Sequence, residues 1–218
     1  MADRSRHTRR TTGVAGLAVA VLFGGGSALW GFEQPHSGAS ARAIVGFYTD
    51  TSARIIVGAS LSLLAIALFV LFASGLRAIL RELEGDDLLA TTAFGGALLT
   101  VAAGLGAETI NMVGALRADD GQLTPELGRA LFEISYVLGY NAAGVGIGIV
   151  LLATAAVALQ TRAVLGRRLA LLTIVAGLAF MTPLSRFLLG PSVLVLAVVS
   201  AKLRRAAEPE AASPTRSA

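Results

Sequence analysis

The sequence predicts an all-α integral membrane bundle of six transmembrane helices with both termini cytoplasmic. Three observations carry that prediction. First, 55% of the 218 residues are hydrophobic and only 15% are charged, with a mean hydropathy of +0.72. A soluble domain averages about 45–50% apolar and about 25% charged, and a chain this short cannot hide such a surplus in one core. Second, the apolar residues fall in long unbroken runs, and about 20 helical residues cross a hydrocarbon layer of about 30 Å. Barrel strands are about 10 residues long and alternate strictly, so these runs are helices. Third, the cations lie in short clusters between the runs, which is how orientation in a membrane is encoded.

Taken in order, residues 1–11 form a basic cytoplasmic N-terminus containing RSRHTRR, and the first span covers about 12–32. Gly26-Ser27-Ala28 resembles a signal-peptide cleavage region, but the apolar run continues to Trp30 and Phe32, as expected of a retained helix. The next segment, GASARAIVGFYTDTSAR, is expected to be a connecting loop whose Phe47 and Tyr48 anchor at the headgroups, in preference to a short interfacial helix. The second span covers about 55–80, with Arg54 opening it. Glu82, Glu84, Asp86 and Asp87 then read as a solvated turn beside Arg77 and Arg81. The third span, about 88–116, carries Glu108 and Asn111 near its far end.

Thr124-Pro125-Glu126 is a helix start, with Thr as N-cap, Pro in the first turn and an acid at the positive dipole end. It leads into the fourth span, about 131–160. Glycine is frequent, and Gly144 with Gly148 forms a GxxxG pair whose expected role is close packing within the chain. The last apolar stretch, 169–203, contains Pro183, Arg186 and Pro191. As two spans, about 169–185 and 187–203, it leaves 13 cations inside against five outside, namely Arg42, Arg54, Arg117, Arg129 and Arg186. As one span it gives 9 against 8 and strands Arg186 in the bilayer, at a cost of about 2.5–3.5 kcal/mol. Six spans are therefore expected, with five as the alternative, followed by a disordered cytoplasmic tail at 204–218.

The composition also excludes function classes. Cysteine is absent, which removes thiol nucleophiles, disulfides and Cys-based metal sites. His7 and His36 lie outside the apolar runs, so no histidine stands at depth to hold a haem. The one lysine, Lys202, is near the end of the last run, too far along for a mid-membrane Schiff base. There is no HExxH and no phosphate-binding loop, and GVGIGIV has no preceding strand. No cofactor, no metal and no nucleic-acid partner are expected. The expected partners are membrane lipids, with a second copy of the chain or another membrane protein beside them.

One polar set stands out. Glu108 and Asn111 are spaced i, i+3 and share a helix face, while Glu133, Tyr136 and Tyr140 form a stripe at i, i+3, i+7 with Asn141 adjoining. With Arg54 they fall at the outer ends of neighbouring helices, where a carboxylate either reaches water or pairs with Arg54. Two functions are consistent with this. The first expectation is a non-enzymatic accessory or structural membrane protein, with these residues serving as an interfacial belt. The alternative is a small-solute or proton-coupled transporter that uses them as an outer-leaflet polar pocket, since intramembrane carboxylates are functional candidates by default.

The order of features resembles a broad group of uncharacterised multi-pass integral membrane proteins, a domain of unknown function common in high-GC actinobacteria. The residues that carry the resemblance are the basic N-terminus, FYTDTSAR leading into a Gly- and Leu-rich helix, LFEISYVLGY opening another, and a Pro-broken apolar hairpin. It spans roughly residues 40–203 and implies a bacterial plasma-membrane location and no catalytic or binding residues.

Overall fold

The computed structural model describes residues 2–85, 87–161 and 166–182, together with Val195, Val198 and Val199, and all regular structure among them is helical. The helices are α1 (Ala2–Ala28), α2 (Ala41–Glu84), α3 (Leu88–Asp119), α4 (Pro125–Tyr136), α5 (Ala143–Thr161) and α6 (Arg167–Phe180). A 3₁₀ turn, Gly31–Glu33, follows α1, and a π-helical segment, Val137–Ala142, joins α4 to α5. Among the described residues four rods are long and apolar enough to cross a bilayer: Arg6–Ala28, Ala41–Glu84, Leu88–Asp119 and Pro125–Thr161. This agrees with a helical membrane bundle. The fifth predicted span meets α6, which ends at Phe180. The sixth, 187–203, and the tail lie outside the described residues apart from the three valines.

The segment before Arg54 is neither a connecting loop nor a separate interfacial helix. It is the first part of α2, which runs unbroken for 44 residues. Ser40 starts it by accepting a hydrogen bond from the Ala43 amide at 3.2 Å. Ile44, Phe47, Tyr48, Thr51, Ser52 and Ile55 then recur at helical spacing and are all buried, so tertiary packing holds this turn-rich stretch in a helix. At the other end Gly85 takes φ 73°, the left-handed C-cap conformation that favours glycine. The acidic turn that follows does more than meet solvent. The Glu84 carboxylate accepts from the Leu89 and Ala90 amides at 2.9 and 3.0 Å, capping α3, while Arg77 holds Asp87 at 2.8 Å.

Neighbours in sequence pack as neighbours in space: α1 on α2, α2 on α3, α3 on α5 and α5 on α6. Three of these contacts are made glycine to glycine. A Cβ added at Gly58 would stand 2.5 Å from the Gly26 carbonyl oxygen, one at Gly146 2.5 Å from that of Gly96, and one at Gly148 2.7 Å from that of Gly177. The expected close packing of α5 therefore exists, but its glycines divide the work. Gly146 and Gly148, two residues apart, face different neighbours, Gly146 meeting α3 and Gly148 meeting α6.

Candidate functional site

α3 presents a stripe of small buried residues, Ala103, Ala107, Gly114 and Ala115, toward its neighbours. Glu108 and Asn111 ride on the same buried side, 7% and 6% exposed. Their shared face is as the i, i+3 spacing predicts, but their fates differ. Asn111 Oδ1 accepts from the Tyr48 hydroxyl at 3.2 Å, with Ser135 of α4 next to that tyrosine. Asn111 thus ties α3 to α2.

Glu108 has no such tie. Its Oε2 is buried without a hydrogen-bond partner, as is the hydroxyl of Ser62, the α2 residue beside it. Nor does Arg54 reach it. Arg54 grips Glu33 of the 3₁₀ turn with two hydrogen bonds, at 2.5 and 2.7 Å. That bidentate grip holds the Glu33 carboxyl below the usual carboxylate range. The expectation that Glu108 sits at a wet rim or pairs with Arg54 is therefore corrected. The cation is taken by a nearer acid, and the small residues around Glu108 let α2 close over it.

Glu108 lines a cavity of about 450 Å³ bordered by α1, α2, α3, the π segment, α5 and α6. Phe23, Phe69, Phe72 and Phe180 contribute to a wall that is apolar but for Glu108, Tyr140, Thr100, Thr154 and Thr173. Thr100 and Thr173 satisfy their hydroxyls on backbone carbonyls of their own helices. Thr154 Oγ1, like Glu108 Oε2, is left without a partner. Among the described residues that line it there is no cation.

The π segment sets the upper edge. Such insertions accommodate one extra residue within a helix and recur at functional sites. Here it carries Tyr140 to the cavity wall, where the phenol donates to Gln34 Oε1 at 2.6 Å. Tyr136 packs on Tyr140 with ring centroids 4.6 Å apart, and contacts run on through Phe132 and Phe47 to Trp30. Sequence spacing places Tyr136 and Tyr140 on one stripe, and their rings do pack together, with Tyr140 reaching the cavity lining and Tyr136 outside it. Two other candidates stand apart. Glu133 is 53% exposed and pairs with Arg129 one turn away at 2.8 Å, and Asn141 is exposed. Neither belongs to the cavity.

Sequence reasoning missed Ser62, Gln34 and Thr154. Ser62 sits among apolar residues as an isolated hydroxyl, a signal shared by many helix residues. Gln34 lies in a loop, and nothing local ties it to a tyrosine 106 positions away. No group of three or more His, Cys, Asp or Glu that could hold a metal occurs among the described residues. No protein-family profile, curated protein or solved structure matches this chain.

Proposed function

We propose that the chain is a non-enzymatic, multi-pass membrane protein of the bacterial plasma membrane that uses Glu108 as a solute or proton site inside the bundle. One observation carries this reading: a buried carboxylate oxygen without a hydrogen-bond partner, on a residue that lines a cavity with no cation among its described lining. Burying an ionisable group without compensation is costly, and a fold that keeps one there gains a site that a proton or a solute completes. The cation asymmetry supports six spans with both termini cytoplasmic, which makes the α1–α2 and α3–α4 connections extracytoplasmic and Glu108 an outer-leaflet residue. The resemblance to actinobacterial membrane proteins supports the location.

An accessory or structural role is the second reading. It is favoured by the pairs Tyr48–Asn111, Arg54–Glu33 and Arg129–Glu133, which spend most of the outer polar residues on holding helices together.

Carbodiimide labelling of the full chain in membranes separates the two. Dicyclohexylcarbodiimide reacts with protonated carboxyls in apolar surroundings. The expected result is modification of Glu108 while the ion-paired, exposed Glu33 and Glu133 stay unmodified. Resistance of Glu108 under conditions that modify other acids of the chain would overturn the proposal in favour of the accessory role.

A further inference from the structure

The cavity's own chemistry narrows the solute class, on the basis that Glu108 is a site at all. Among the described residues the lining holds one carboxylate and no cation, so a ligand that brings a positive charge, or a proton, complements an ionised Glu108. A small inorganic cation is poorly served. Calcium takes 6–8 oxygen ligands and magnesium a full octahedron, whereas the described lining adds to Glu108 only one phenol and three threonine hydroxyls as side-chain oxygens, and Tyr140, Thr100 and Thr173 already donate to partners. The rest of the wall is hydrocarbon and aromatic ring, and about 450 Å³ falls within the range of sites for drug-sized molecules. An anionic or zwitterionic lipid headgroup would need a cation for its phosphate. Arg54 and Arg129 are already paired with Glu33 and Glu133, and neither they nor Arg42 and Arg117 at that end of the bundle line the cavity.

We infer that the cavity binds a lipophilic organic cation, an amine or quaternary ammonium with an aryl or alkyl body. The positive head lies between Glu108 and the Tyr140 ring, and the body lies among Phe23, Phe69, Phe72 and Phe180. Carboxylate attraction in a dry site and the cation–π face of a tyrosine act on the same head, while the apolar wall recovers the body's hydrophobic free energy. A proton and such a cation compete for the same oxygen. Tyr140 is the other titratable residue among the described lining.

The test uses the full chain in nanodiscs and two probes, 4-phenylbutyl-trimethylammonium and its neutral tert-butyl isostere. Affinity is measured by calorimetry, and protection of Glu108 from carbodiimide is read by mass spectrometry of the labelled peptide. The cation is expected to bind roughly tenfold or more tighter than the isostere, as a charge-assisted contact implies. It should protect Glu108, and Glu108→Gln should lose the preference. The wild-type chain alone gives a second readout, because affinity for the cation should fall as pH is lowered while affinity for the isostere stays flat. Equal binding and equal protection by both probes would overturn the cation class and leave Glu108 as a ligand site. Labelling of Glu108 with no binding of either probe would also overturn it, leaving a proton site. No labelling and no binding would overturn the site itself.

Discussion

The Tyr48 hydroxyl donates to Asn111 Oδ1 at 3.2 Å, joining residues 63 apart in sequence inside a region where Tyr48 is fully buried. Because Asn111 is held this way, it is a fastening between α2 and α3 rather than part of the cavity. Tyr48→Phe leaves the Asn111 carbonyl without its donor and should cost about 1–3 kcal/mol. In thermal unfolding that is a fall of at least about 2–4 °C for a chain of this size. Binding at Glu108 should be unchanged.

Glu108→Gln should move stability the other way. It removes a buried carboxylate that has no partner and keeps its shape, so the variant is expected to melt at a temperature equal to or higher than the wild type, by up to about 1–3 kcal/mol. Loss of cation binding together with raised stability marks a residue kept for function. A variant that melts clearly lower would mark Glu108 as structural.

The glycine contacts predict a position-specific penalty along one helix. Gly96→Ala drives a Cβ into the Gly146 carbonyl, with overpacking worth about 1–3 kcal/mol. Its neighbour Gly95 has open space around it, so Gly95→Ala should be neutral or stabilising by up to about 1 kcal/mol through helix propensity. Chemical or thermal unfolding of the two variants in one detergent makes the comparison.

Tyr140→Phe removes the donor to Gln34 while retaining the ring that packs on Tyr136. The cover of the cavity should open more often, and carbodiimide modification of Glu108 should speed up several-fold. The loss of stability should stay near 1 kcal/mol. An unchanged labelling rate would show that solutes reach Glu108 by another route.

Acid should release the clasp between Arg54 and Glu33. The Arg54 hydrogen bonds hold the folded-state carboxyl of Glu33 below its unfolded value near 4.3. The pair therefore contributes fully above that unfolded value, and its contribution disappears as pH falls through the folded one. Between about pH 5 and about pH 3 the wild-type melting temperature should fall more steeply than that of Glu33→Gln. Because both residues are exposed, the difference should be small and should shrink in high salt.

Much of this was legible in the residues themselves. Thr124 caps α4 by accepting from the Leu127 amide, with Pro125 in the first turn, as the triplet Thr124-Pro125-Glu126 announces. The common face of Glu108 and Asn111 follows from helical spacing alone. What spacing does not carry is the identity of the neighbour. A linear reading sets Arg54 level with Glu108, and the 3₁₀ turn after α1 supplies Glu33 instead. Likewise, residues 41–54 alternate polar and apolar types without a long hydrophobic run, and only burial against α3 and α4 makes them one helix with 55–84. The π segment has no composition of its own. VLGYNA would suit an α-helix, so nothing local announces the extra residue.

The length of α2 has a mechanical consequence. At a rise of about 1.5 Å per residue, its 44 residues measure about 66 Å, more than twice the thickness of a hydrocarbon layer of about 30 Å. The surplus projects beyond the lipid, and the buried stripe from Ile44 to Ile55 shows that the projecting part is clasped by α3 and α4. A single stiff lever therefore reaches from the Glu33 clasp, past Ala65, Ile66 and Phe69 of the cavity wall, to the Arg77–Asp87 turn at the opposite end. Tilting it at either end displaces the wall beside Glu108.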